Sequence, residues 1–197
     1  MDRRLFHILS RTLMQISRPS ASEHTPYMGL YVDTTERVLA AQGNDDMLTL
    51  LDAQPVQLRA MLEGTDASLA SFAYAPGKWT LAESLLHVAD TERVFSYRLV
   101  RIARSDMTPL PGFDQDTWVP QSRAENRALD DIVDEIVAIR ASTIALVRSL
   151  DSTAIAQIGT SNNNPLSARA LTWIIPGHFA HHLELTQTRY LAAANAR

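Results

Sequence analysis

Between Leu171 and Leu185 the chain reads Leu-Thr-Trp-Ile-Ile-Pro-Gly-His-Phe-Ala-His-His-Leu-Glu-Leu, which places three of its six histidines within five residues. At roughly 100° of rotation per residue, His178, His181 and His182 share one helical arc with Leu171, Ile174 and Leu185. That arc is the apolar stripe of the segment, so the imidazoles face inward. Any fold built on it must give three buried histidines either polar partners or a ligand. Neutral imidazole binds zinc, nickel and iron well, and His178-x-x-x-His182 brings two ring nitrogens one turn apart. A third ligand has to come from elsewhere in the chain.

The remaining composition narrows the chemistry. A chain of 197 residues has room for one sizeable core with an extension, and 46% hydrophobic residues with 20% charged ones describe a globular protein. Leu and Ala abound and β-branched runs are scarce, which favours an all-helical fold. The net charge of −4, with the signs interspersed, disfavours binding to a phosphate backbone, so no nucleic-acid partner is expected. With no cysteine, a metal must be held by nitrogen and oxygen, and any reacting thiol must arrive with a substrate. The lack of cysteine fits the cytoplasm, the expected compartment. No apolar run reaches the roughly 20 residues that span a bilayer, and no membrane partner is expected.

Residues 1–25 are rich in Arg and poor in acids, and we read them as a poorly ordered extension or a targeting segment, with the folded domain at 26–197. From Pro26 to Glu63 the apolar beat is helical, and Pro55 is expected to kink or divide it. Thr80-Leu-Ala-Glu83 is a capping box opening a helix to about Arg104, with the stripe Leu81, Leu85, Val88, Phe95, Leu99. Glu92 lies on that stripe and needs a partner, as a structural tether or as part of a site. His87 lies on another side, among Ser84, Thr91, Val94 and Arg98, a mixed face that lines water or a polar cavity, and by itself it reads as a surface histidine. Asp106 to Pro120 is a long connection carrying Phe113, Asp114, Asp116 and Trp118, and the two acids read as a solvated loop. Ser122-Arg-Ala-Glu125 repeats the capping signature ahead of an amphipathic run from Leu129 to Leu150. Gly159 to Pro165 reads as a loop, Ser167 as a cap, and Pro176 as a kink or a fresh helix start. Long amphipathic segments joined by loops make an antiparallel helix bundle.

Pro76-Gly-Lys-Trp-Thr80, Leu86-His-Val-Ala-Asp-Thr-Glu-Arg93, Leu110-Pro-Gly-Phe-Asp114 and Gly177-His-Phe-Ala-His-His182 together resemble the DinB-like superfamily, in order, over roughly Tyr27 to Leu191. The resemblance implies an all-α four-helix bundle of up-up-down-down topology, often a homodimer, with a divalent metal, commonly zinc or nickel, at one end. It also implies the ligands: His87, His178 and His182, with His181 as their neighbour. The chain departs from the pattern in carrying Pro176 before Gly177 and Phe179 after His178. Phe179 excludes the zincin His-Glu-x-x-His arrangement, whose general base would stand there.

Relatives of this kind resemble two chemistries, hydrolysis and transfer of low-molecular-weight thiols to a small-molecule substrate. A three-histidine metal site serves both, by activating water or a thiol. A non-catalytic, dimeric, stress-related bundle that binds metal loosely or not at all is the alternative.

Overall fold

The computed structural model describes residues 15–43 and 45–195. Residues 1–14, the larger part of the expected extension, lie outside the described residues, as does Asn44 of the turn expected after Gly43. The long helices are α1 (Pro26–Gln42), α2 (Met47–Leu62) and α3 (Leu81–Ala103). A short α4 (Gln115–Trp118) precedes α5 (Leu129–Arg148), and a short α6 (Ser152–Ile155) leads to a hairpin of β1 (Ile158–Ser161) and β2 (Asn164–Ser167). The last long helix is α7 (Ala168–Leu185), which continues through a π-helical turn, Thr186–Leu191. No helix among the described residues is long and apolar enough to cross a membrane.

α2, α5, α3 and α7 close a ring in that order, and α1 lies along α7. Two apolar clusters fill the ring. One takes Leu50 and Leu51, Leu99 and Ile102, Ile144 and Val147, and Leu171 and Ile174; the other takes Leu58 and Leu62, Leu81 and Leu85, Ile132 and Val133, and Phe179 and Leu183. The start of α2, the ends of α3 and α5, and the start of α7 therefore share one end of the bundle. It follows that α3 and α5 run parallel, with α2 and α7 opposed to both. Side-chain pairs agree: Glu92 meets Arg140 and Ser96 meets Thr143, whereas Ser84 meets His182. This down-up-up-down order of the four bundle helices replaces the expected up-up-down-down. The cause is the connection from 104 to 128, which carries the chain back along the bundle so that α5 repeats the direction of α3. A helix of 23 residues is about 34 Å long, and 25 extended residues reach well beyond that.

Between the two clusters lies a polar layer. Arg140, 1% exposed, donates Nε and Nη2 to the two oxygens of Glu92, each at 2.8 Å. Its Nη1 donates to Gln54 Oε1 at 2.8 Å and to the Leu51 carbonyl at 2.9 Å, and the guanidinium lies 4.5 Å from the Phe179 ring centroid. Gln54 Nε2 completes the layer by donating to the Pro176 carbonyl at 2.7 Å, so all four helices are tied at one level. The layer explains Pro55, which neither divides α2 nor ends it. Proline lacks the N–H that would bond four residues back, and the carbonyl so released is that of Leu51, which Arg140 takes up. α7 likewise runs unbroken through Pro176.

Several local expectations are corrected. Ser122 and Glu125 do not open α5: Ser122 ends a 3₁₀ turn, Arg123 takes φ 53°, and α5 starts at Leu129 after Ala128. The stretch 159–165 is a hairpin, because Asn162 (φ 50°) and Asn163 (φ 60°) accept the left-handed conformation that a two-residue turn needs. Leu110 joins its edge, donating to Thr160 O and accepting from Asn162 N, each at 2.9 Å. Residues 15–25 of the expected extension pack on the bundle, with Ile16 O accepting from Trp173 Nε1 at 3.0 Å and Glu23 from Ser167 Oγ at 2.7 Å.

Two stability predictions come from this packing. Gly177 is where α1 and α7 touch: a Cβ there would stand 1.9 Å from Tyr31 O, so Gly177→Ala must part the helices. We expect it to cost about 3 kcal/mol in denaturant unfolding. Glu92→Gln leaves a buried guanidinium without its counter-charge and is expected to cost about 3–5 kcal/mol. The double change Glu92→Leu with Arg140→Met should cost clearly less than either single change in the same titration.

Candidate metal centre

His178 and His182 reach the interior because α7 is buried on nearly all sides along its middle, where α1, α2 and α3 surround it. His87 comes from α3, and only 6% of it is exposed. Its mixed face looks onto a largely apolar cavity between α3, α7 and the chain segments around Phe113 and Asn162, so the surface-histidine reading is overturned. The three rings meet. His87 Nε2 and His178 Nε2 are 3.1 Å apart, and one potential donor atom from each of the three histidines lies within 4.8 Å of the others.

The rings are held from behind. Ser84 Oγ shares a hydrogen bond of 3.1 Å with His182 Nδ1, and Thr91 Oγ1 one of 3.3 Å with His87 Nδ1. Both hydroxyls belong to α3, at the first and eighth positions of the sequence Ser84-x-x-His87-x-x-x-Thr91, whose spacings of three and four bring them to the face of His87. Trp79 lies 5.0 Å from His87 between ring centroids, and Tyr31 packs edge-on to His178 at 5.1 Å. Tyr31 Oη in turn shares a hydrogen bond of 2.9 Å with Tyr27 Oη.

Burial sets the charge state. Desolvation, with a smaller contribution from His181, pushes the His87 imidazolium pKa down to about 4. His178 and His182 are held well below the usual histidine range, first by burial and then by the neighbouring imidazoles. At neutral pH the three rings are therefore uncharged, the state in which imidazole is a ligand. A tetrahedral ion with bonds of about 2.0–2.1 Å would need its nitrogens about 3.3 Å apart. The His87–His178 spacing of 3.1 Å is close to that, and the three donor atoms lie within 4.8 Å of one another, so the group offers an all-nitrogen donor set for a divalent ion.

Two cavities border the cluster and share Tyr27, Tyr31 and His87 in their walls. The larger, about 540 Å³, includes Tyr31, His87, Phe95, Arg98, Phe113 and His178 in its wall. The smaller, about 310 Å³, includes Trp79, Ser84, His181, His182 and Tyr190. A reactant therefore has room beside the imidazoles.

The other residues singled out from the sequence fall elsewhere. His181 is half-buried, edge-on to Tyr31 and His182, and outside the three-ring group. Glu92 is the tether of Arg140 and takes no part. Asp114 and Asp116 stand on the cavity rim, where Asp114 caps α4 by accepting from Asp116 N at 3.0 Å. Sequence reading missed Tyr31 and Arg98. Arg98 carried a signal, a cation eleven residues beyond His87 on the same helix, but Tyr31 has none, since only the Gly177 contact brings it in.

Comparison with known proteins agrees with the fold. A solved structure of YfiT from Bacillus subtilis, described as a probable metal-dependent hydrolase with an unusual four-helix bundle topology, matches with a TM-score of 0.61 at 17% identity, covering 87% of this chain and 92% of that one. At that identity the likeness is one of fold. No curated protein matches the chain in sequence. The family model of the DinB superfamily matches residues 50–186, a span that holds α3, α5, α7 and all three buried histidines, and the chain belongs to that superfamily.

Proposed function

We propose that this chain is a divalent-metal-dependent enzyme whose ion, zinc or nickel, is held by His87, His178 and His182. The observation that carries the reading is the meeting of three buried, uncharged imidazoles from two helices, bordered by two cavities. Three imidazoles brought together without any carboxylate among them turn ring nitrogens toward one another, an arrangement that a shared cation would use directly. Membership of the superfamily and the description of YfiT as a probable metal-dependent hydrolase support it.

A bound ion of this type supplies Lewis acidity, lowering the proton affinity of a water or thiol at the positions the protein leaves open. The chain does the rest. Ser84 and Thr91 fix the ring orientations of His182 and His87, leaving the second nitrogen of each for the ion. Tyr31, Phe95 and Trp79 wall the rings and hold bulk water back, which strengthens electrostatic interactions within. Phe179 follows His178, so no carboxylate base comes from that position.

Hydrolysis of a small molecule is the first reaction we assign. Transfer of a low-molecular-weight thiol is the second, favoured by the absence of cysteine, since the thiol must then come with the substrate.

Purified protein is expected to carry about one zinc or nickel per chain by elemental mass spectrometry. His87→Ala and His178→Ala should each lower that content more than tenfold while circular dichroism still shows a helical fold. A wild-type protein that takes up no metal after supplementation would remove the proposal. Turnover of an electrophile by the loaded protein without added thiol identifies a hydrolase, and turnover only with glutathione-like thiols identifies a transferase.

A further inference from the structure

The face of α3 that carries His87 continues past the histidine cluster. His87, Thr91, Phe95 and Arg98 follow one another along it, and all four line the larger cavity. Arg98 is only 5% exposed. One of its amines donates to the Pro111 carbonyl at 2.8 Å, and its guanidinium lies 5.6 Å from the Phe113 ring centroid. Arg140, the other deeply buried arginine of the bundle, has Glu92 as counter-charge, whereas no ion pair among the described residues includes Arg98. The acids on the same cavity wall, Asp114 and Asp116, are exposed, and Asp114 is engaged as a cap.

We propose that Arg98 anchors a carboxylate subsite, which holds the substrate by an acid group while the reacting end lies at the histidine cluster. The inference rests on the metal-centre reading and names the substrate class for it. A guanidinium has five N–H groups in a planar fork, and here one protein acceptor is in place, leaving the fork free for a carboxylate from the cavity. A buried cation without counter-charge is costly, and a ligand that brings the anion removes that cost.

Spacing sets the size of the ligand. Eleven residues of helix span about 16 Å, and since both side chains lean back towards the helix N-terminus, the longer Arg98 further than His87, roughly 10–15 Å separates guanidinium and imidazoles. Met28, Phe95 and Leu166 line the cavity that joins them. The substrate class is therefore a small elongated acid with an apolar spacer between its carboxylate and its reacting atom.

Calorimetric titration with 6-mercaptohexanoate and with its amide, 6-mercaptohexanamide, tests this on zinc-loaded and on zinc-free protein. Wild type is expected to bind the acid at least tenfold more tightly than the amide in both states. Arg98→Met should bring the two affinities together, and Arg98→Lys, which keeps the charge without the fork, should retain a smaller preference. Equal binding of acid and amide by wild type, no binding of the acid, or a preference that survives Arg98→Met overturns the assignment. Should Arg98→Met fail to fold, the wild-type comparison with Arg98→Lys decides alone. If zinc raises the affinity for neither thiol, the metal-centre reading fails, and the acid-to-amide ratio still reports on Arg98.

Discussion

The bundle depends on one buried cation. Arg140 has no access to water, so each of its donors must be met inside the protein, and the partners come from three helices: Glu92 from α3, Gln54 and the Leu51 carbonyl from α2, and the Phe179 ring from α7. A layer of this kind is directional, unlike the apolar clusters above and below it. Leucines would tolerate a slip of one helix against another, but a bidentate pair at 2.8 Å would not. The level of the four helices is thereby set, and with it the height at which His87 and the pair on α7 meet. The same layer makes Pro55 harmless, since the carbonyl that the proline releases becomes an acceptor that Arg140 uses.

Above that layer the site is built on close approach. Gly177 lets the backbone of α1 come against α7, and Thr35 Oγ1 donates to the Trp173 carbonyl at 2.6 Å in the turn before it. Tyr31 is carried in by this contact and sets its ring edge against His178. Rings locked between rigid helices lose little entropy when they bind an ion, which is what a preorganised site requires. The feature that makes the histidines good ligands, burial, is also what lowers their proton affinity. Packing and chemistry here have one cause.

Much of the fold was legible because helices announce themselves locally. The capping box at Thr80 and Glu83 opens α3 as read, with Thr80 Oγ1 accepting from Glu83 N at 3.2 Å. The same pattern at Ser122 and Glu125 opens nothing, because Arg123 adopts a left-handed backbone and the chain is still crossing the bundle. The hairpin was hidden in three asparagines whose turn chemistry is also that of a loop. The direction of α5 was written only in the length of the connection before it, a quantity that permits a crossing without requiring one.

What the sequence determined by itself was the inward turn of His178 and His182, though the same arc also claimed His181, which is only half-buried, together with the helical character of nearly every long segment and the exclusion of thiolate from any metal site, since each rests on spacing or composition. Tertiary structure alone decided the rest. Whether His87 faced water or a cavity, whether Glu92 served a site or a tether, and which way the helices ran all depend on what stands opposite a helix face. Periodicity shows that a face is polar, but the neighbour that makes it wet or buried comes from elsewhere in the chain, and only folding brings it there.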